Sequence, residues 1–307
     1  MAIARRRLGR TGLDVTVLGF GAMELRGAPG GPSVSEEEAG RVLNAVLDEG
    51  VNFIDTSIDY GLSEERIGRH IGHRRDEYVL ASKCGCVPGA GMGGAHVHTA
   101  ENIRLGVENS LRLLGTDHLD LVQFHRSLHR DEFDAEGGLT ELMHLRDEGK
   151  VRFIGVSGVL PTLREQIAMG VFDAFQIPYS AMQREHETVI TEASDAGAGV
   201  IVRGGVARGI PEDFAGGRNY YMVPSERMQA YWQEARLDEL LDGMGRAAFL
   251  LRFTLSHPGL DTTIVGTRSV EHLRDNLAAA AQGPLPDDVV AEAKRRLAAA
   301  GARPEGG

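Results

Sequence analysis

A chain of 307 residues, 42% hydrophobic and 25% charged, can bury one large core and has the composition of a globular protein rather than a disordered or fibrous one. Its 33 Lys and Arg stand against 44 Asp and Glu, a net charge of −11, which argues against a nucleic-acid partner or an anionic membrane surface. No run approaches ~18 apolar residues, and the arginines at 5–7 have no apolar stretch behind them; no spanning helix and no signal peptide are expected, and the expected compartment is the cytoplasm.

In chain order, residues 5–16 (RRRLGRTGLDVT) read as a hairpin turning at Thr11-Gly12, followed by a strand at 17–23 (VLGFGAM). A helix is expected from Ser35 to Glu49, with Ser35 as N-cap and Glu36, Glu37 and Glu38 at its positive end. Then come a strand at 51–57, a short helix at 63–71, a strand at 77–83, a helix at 99–114 and a strand at 118–124. A helix near 138–148, a strand at 151–157, a short helix at 161–169, a strand at 174–178, a helix at 183–196 and a strand at 199–204 follow. The last units are a helix near 244–256, a strand at 261–266 and a helix at 270–280. Pro284 and Pro286 introduce a final helix, 287–300, expected to lie across the barrel; residues 301–307 are turn formers expected to fray.

Eight strands, each followed by a helical segment, predict an α/β protein that closes into a TIM (β/α)8 barrel, here with an N-terminal β-hairpin and an extra C-terminal helix. No shift of composition marks a boundary, so 1–307 is expected to be a single domain. Two connections are too long to be simple turns, 84–98 and 205–243; the second carries Tyr220, Tyr221, Tyr231 and the only tryptophan, Trp232. Both follow strand C-termini, the barrel face that carries active sites.

The two cysteines, Cys84 and Cys86, are spaced C-x-C, with His96 and His98 nearby. Structural zinc sites use wider cysteine spacing, so the expectation is two reduced thiols after a strand and no metal.

Asp55, Lys83 and His125 end strands, and Tyr60 follows the second strand closely. Taken singly, each has an ordinary account: a salt bridge, a hydrogen-bonded core histidine, a turn tyrosine. Together, at neighbouring strand ends, they should face one mouth. Hydride addition to a carbonyl builds negative charge on oxygen, which needs a proton donor. A tyrosine can donate when an ammonium stands beside it, and a carboxylate can hold that ammonium charged. A histidine can fix the carbonyl and share in stabilising the oxyanion.

NFIDTSIDYG (52–61), LASK (80–83), LDLVQFH (119–125) and GKVRFIGVS (149–157) resemble the aldo-keto reductase superfamily in sequence, order and spacing, and the resemblance runs to NLAAA at 276–280. It implies reduction of an aldehyde or ketone with NADP(H), or less favourably NAD(H), through a catalytic tetrad of Asp55, Tyr60, Lys83 and His125, with Tyr60 as general acid. There is no G-x-G-x-x-G opening a βαβ unit, so the chain does not bind its cofactor as a Rossmann enzyme does. The glycines of GFGAM (19–23) permit close backbone approach, which makes Gly21 and Met23 candidates beside Asp55.

The resemblance also assigns Ser157 and Gln176 to the nicotinamide carboxamide. GTRSVEHLRDN (266–276) runs from a strand into a helix N-terminus suited to an anion. By resemblance Gly266, Thr267, Arg268, Ser269, His272 and Asn276 hold the adenosine 2′-phosphate. The sequence departs from the family at three places. Gly158 stands where an asparagine usually clamps the carboxamide. Arg203, followed by Gly204 and Gly205, stands where an aromatic often stacks on the ring. His272 replaces a frequent arginine. Competing readings are a sugar dehydrogenase running oxidatively, a cofactor-holding subunit without turnover, and a Schiff-base aldolase acting through Lys83. The expected ligands are small carbonyls or sugars; the substrate and the oligomeric state are left open.

Overall fold

The computed structural model describes residues 3–28, 30–207 and 223–305. Strands β1 (Arg5–Arg7) and β2 (Asp14–Thr16) pair antiparallel, and Gly12 takes the positive φ of 70° that closes the turn between them. Eight parallel strands form the barrel: β3 (Leu18–Gly21), β4 (Phe53–Asp55), β5 (Val79–Cys84), β6 (Leu119–Phe124), β7 (Val151–Ser157), β8 (Ala174–Pro178), β9 (Gly199–Arg203) and β10 (Thr262–Val265). They neighbour one another in sequence order, and β10 closes on β3.

Outside the barrel run α1 (Glu36–Asp48), α2 (Ser63–Ile71), α3 (Ala100–Leu114), α4 (Gly138–Asp147), α5 (Leu163–Met169), α6 (Glu187–Asp195), α7 (Ser225–Glu234), α8 (Arg246–Leu255), α9 (Val270–Ala281) and α10 (Asp287–Ala299). Ser35 caps α1 as expected: its hydroxyl accepts from Glu38 N at 3.2 Å, and the Glu38 carboxylate accepts from Ser35 N at 2.8 Å. Helix α6 starts later than the sequence suggests, because residues 180–183 form a tight bridge instead. Helix α7 lies inside the long 205–243 connection, where no helix was expected. It carries Trp232 inward, edge-on to Phe249 at 5.9 Å, so this tryptophan is core and not pocket rim. Tyr220 and Tyr221 lie outside the described residues.

Strand alternation sorts the side chains into two shells. Phe53, Val79, Ala81, Leu121, Ala174 and Ile201 cluster with Leu8 and Val15 of the hairpin. The opposite faces of the same strands, Ile54, Leu80, Val122, Val156, Phe175 and Val200 among them, pack in the larger core with the helices. The hairpin therefore plugs the N-terminal end of the barrel. Gly9 sits so close to the start of β9 that a Cβ there would fall 2.2 Å from Gly199 N, which explains the glycine. Inward positions further along six of the eight strands are polar: Asp55, Lys83, Gln123, Ser157, Gln176 and Arg203. With one end plugged by apolar side chains, these face the C-terminal mouth.

Helix α10 does not lie across the barrel. It packs on α7 and on the short turn at 237–240, and Arg184 ties it down by donating to Lys294 O and Ala302 O at 3.0 and 3.2 Å. Residues 301–305 do not fray either. Ala302 is buried, Glu305 N donates to Glu185 O at 3.1 Å, and Glu305 pairs with Arg164 at 2.7 Å. No described helix is long and apolar enough to cross a membrane.

Candidate active site

At the C-terminal mouth a cavity of about 570 Å³ is lined by Asp55, Tyr60 and His125 together with Gly21, Met23, Ser157, Gln176, Arg203, Gly204 and Gly266. The strands deliver these residues through the alternation described above, and Tyr60 arrives by a turn. Tyr60 N donates to Ser57 O at 3.0 Å, and Ser63 N donates to Tyr60 O at 2.9 Å. Gly61 (φ 47°) lies so near Arg26 that a Cβ would fall 2.5 Å from its carbonyl oxygen, so the turn is pinned to the loop after β3.

Lys83 lies beneath the cavity floor. Its Nζ donates to Asp55 Oδ1 at 2.6 Å and to Thr56 O at 2.9 Å, with no exposure of the Lys83 side chain. Asp55 Oδ1 also accepts from Gln176 Nε2 at 2.8 Å and Gln123 Nε2 at 3.1 Å. The Lys83 ammonium stands 5.9 Å from the centre of the Tyr60 ring, and that ring meets His125 edge-on at 5.8 Å. Ser157 Oγ donates to Gln176 Oε1 at 3.0 Å, so the two expected carboxamide ligands are neighbours on the cavity wall.

His125 Nδ1 faces Cys86 Sγ at 3.1 Å, Ser57 Oγ at 3.4 Å and Asp59 Oδ1 at 3.5 Å. Burial, and then the charges of Lys83, His96 and Arg203, hold its imidazole well below the usual histidine range, so the ring is neutral at pH 7. A neutral imidazole keeps one N–H to donate and one nitrogen to accept. The Cys86 thiol is pushed up to about 12 by burial and by the Asp59 carboxylate.

A closed eight-stranded barrel with an acid, a lysine, a tyrosine and a histidine at one mouth agrees with a family match spanning residues 17–297, whose model is described as the aldo/keto reductase family. The chain belongs to that family. It is an enzyme, an oxidoreductase. It is 28% identical to an L-galactose dehydrogenase of Arabidopsis thaliana over 90% of this chain and 88% of that one. It is 31% identical to an aldo-keto reductase of Gibberella moniliformis, covering 86% and 85% of the two. Its fold superposes on the holo form of the aldo-keto reductase AKR11C1 from Bacillus halodurans with a TM-score of 0.83 at 26% identity, covering 96% of each chain.

Within this aldo/keto reductase barrel, not every expected cofactor residue reaches the cavity. Thr267, Arg268, Ser269, His272 and Asn276 lie beyond its lining, the first three just before α9, His272 in its first turn and Asn276 at its middle. Arg268 is exposed and donates to Ser33 O at 3.3 Å, while Ser269 Oγ caps α9 by accepting from His272 N at 3.2 Å. Gly158 and Gly205 also lie outside the lining, and packing accounts for both glycines. A Cβ at 158 would press on Gln166 and Leu163 at 3.1 Å; one at 205 would fall 2.7 Å from Thr263 Oγ1 and 2.9 Å from Thr254 Cγ2.

Other residues at the mouth were not singled out from the sequence: Asp59, Gln123, Arg126 and Ser127. The signal for Gln123 was present, since it shares inward parity with His125 in LDLVQFH. Asp59 directly precedes Tyr60 in the motif itself. Of the residues weighed for a metal, Cys84 faces the outer core, whereas Cys86 and His96 meet at 3.6 Å beside His125.

Proposed function

We propose that this enzyme transfers a hydride between NADP(H), used in preference to NAD(H), and the carbonyl carbon of a small aldehyde or ketone, with Tyr60 as the proton donor. The observation that carries the reading is the buried Asp55–Lys83 pair, whose ammonium stands 5.9 Å from the Tyr60 ring at the floor of the cavity. The holo form of the Bacillus halodurans relative supports a bound cofactor in this fold.

The residues fit such a group. Ser157 and Gln176, 3.0 Å apart on the wall, offer a hydroxyl and an amide to a carboxamide, and the exposed Arg268 at the α9 N-terminus suits a phosphate. The bound nicotinamide supplies or accepts the hydride. As the carbonyl oxygen gains charge, Tyr60 gives it a proton, and the Lys83 ammonium stabilises the phenolate left behind. Asp55 holds and aims the Lys83 ammonium. His125, neutral, donates a hydrogen bond to the same oxygen. Solvent returns the proton to Tyr60 after the alcohol leaves.

Lys83 is closed in by Asp55 and Thr56 and does not line the cavity, which speaks against a Schiff-base aldolase. Oxidation of a sugar is the second reading, favoured by the likeness to the L-galactose dehydrogenase; the same residues serve with the proton running from substrate to Tyr60.

Tyr60→Phe tests the assignment. Its kcat should fall on the order of 10² or more, the range of a general-acid contribution, with cofactor Kd unchanged. Stopped-flow cofactor oxidation with aldehydes, and cofactor reduction with sugars, reads both directions. A near wild-type kcat in the variant would remove Tyr60 from the mechanism.

A further inference from the structure

Asp59 from the turn after β4, Cys86 and His96 from the loop after β5, and His125 at the end of β6 bring four ligand atoms within 4.8 Å of one another. Cys86 Sγ is 3.1 Å from His125 Nδ1 and 3.6 Å from His96 Nε2, and His125 Nδ1 is 3.5 Å from Asp59 Oδ1. Zinc with sulfur at ~2.3 Å and nitrogen or oxygen at ~2.0 Å, in tetrahedral geometry, sets its ligand atoms about 3.3–3.6 Å apart. Three of the six edges of that tetrahedron are already close to these lengths, and the other three are within 4.8 Å.

The arrangement is built by the backbone. Cys86 and His96 face each other across an antiparallel bridge, flanked by Val97 N donating to Gly85 O at 2.8 Å and Val87 N to Ala95 O at 3.3 Å. Gly85, at φ 85°, allows the reversal out of β5. The His96 ring then packs edge-on to His125 at 5.7 Å.

A second observation points to a cation. Asp59 is 4% exposed, yet among the described residues no lysine or arginine pairs with it. Its partners are the Ser57 hydroxyl at 2.5 Å, the Cys86 thiol and the neutral His125, none of them a cation. A buried carboxylate without a counter-charge is costly. Zn²⁺ held by one carboxylate, one thiolate and two neutral imidazoles makes a site of zero net charge, which adds no repulsion beside Lys83. Binding expels the Cys86 proton to solvent.

We propose that Asp59, Cys86, His96 and His125 form a Zn²⁺ site at the edge of the active-site cavity. Metal on Nδ1 of His125 leaves the proton on Nε2, and so fixes that ring as a hydrogen-bond donor. Cys86, Asp59 and His96 are then positioning residues for His125. The site stands on its own geometry; only this consequence rests on the proposed hydride transfer.

The test is Co²⁺ titration of the chelator-treated full-length protein, followed by displacement with Zn²⁺. The expected result is a near-ultraviolet thiolate-to-Co²⁺ charge-transfer band with strong visible bands of a tetrahedral ion, saturating at one equivalent. Cys86→Ser should abolish the charge-transfer band, His96→Ala should weaken Co²⁺ binding about tenfold or more, and Cys84→Ser should change neither; circular dichroism checks that each variant is folded. Absence of the band in the wild type, or its survival in Cys86→Ser, overturns the site. Stopped-flow hydride transfer is read separately on the same samples, so a protein that binds Co²⁺ without turnover refutes the reaction and not the metal.

Discussion

Lys83 Nζ lies 2.6 Å from Asp55 Oδ1, and both side chains are shut off from solvent. Breaking a buried pair by removing one partner leaves an uncompensated charge, at a cost of about 3–5 kcal/mol. Lys83→Met strands the Asp55 carboxylate with, among the described residues, only Gln123 and Gln176 as donors, and should lower the unfolding free energy read from urea denaturation by that amount. Adding Asp55→Asn removes the stranded charge while keeping an oxygen for the two glutamines, so the double variant should recover at least half of the loss. Strictly additive losses would show that the two are not coupled.

One layer further out, Glu64 of α2 is buried and accepts from Ser82 Oγ at 2.5 Å. Burial pushes its carboxyl up from 4.5 to about 7, against the opposing pull of the Ser82 hydrogen bond. A raised folded pKa means that the native state binds the proton more tightly than the unfolded chain. The stabilisation is complete below pH 4.5 and is lost as pH rises through about 7. Glu64→Gln keeps the hydrogen bond and does not titrate. Its stability relative to wild type should therefore climb by about 3 kcal/mol between those limits. Chemical denaturation at a series of pH values measures this; a pH-independent difference would show that Glu64 is ionised in the fold.

Strand-borne features of the site could be read from the sequence, because a period of two fixes which side chains share the barrel interior. Asp55, Lys83 and His125 follow from that alone, and so does the inward Gln123. Loop-borne features could not. His96 reaches Cys86 only because residues 84–98 fold back on themselves through the Cys86–His96 bridge, and no local periodicity encodes that. Helix α7 was hidden for a related reason: its apolar residues Met228 and Trp232 bury against α8 and its neighbours, so tertiary packing, not propensity, selects it. The glycines at 158 and 205 show the converse. Their position in cofactor motifs suggested contact with a ligand, while Gln166, Leu163, Thr254 and Thr263 crowd them from the protein side.

The proposed preference for NADP(H) is tested at Arg268. That residue is exposed at the α9 N-terminus, where its guanidinium and the first-turn amides can meet a phosphate. A charge-assisted hydrogen bond is worth roughly 1.5–3 kcal/mol. Arg268→Ala should weaken NADPH binding about tenfold or more and leave NADH nearly unchanged, as read by fluorescence titration. Equal losses for both would take Arg268 away from the 2′-phosphate.

Arg203 ends β9 on the cavity wall, its Cα opposite Pro178 of β8 and Ile264 of β10, and its charge helps to hold His125 neutral. A guanidinium can lie flat on a π system because its charge is planar and weakly hydrated. Against the nicotinamide that contact has a sign. The oxidised ring is itself a cation, so an adjacent guanidinium repels it and favours the reduced form. With that stacking, carbonyl reduction would be the easier direction and NADP⁺ would leave readily. Replacing the charge with a ring, Arg203→Tyr, should raise affinity for NADP⁺ relative to NADPH by about tenfold, equivalent to 1.4 kcal/mol. Paired titrations of both cofactor forms against wild type and variant give the ratio. An unchanged ratio, with turnover lost only for carboxylate-bearing substrates, would place the guanidinium on the substrate's acid group instead of on the nicotinamide.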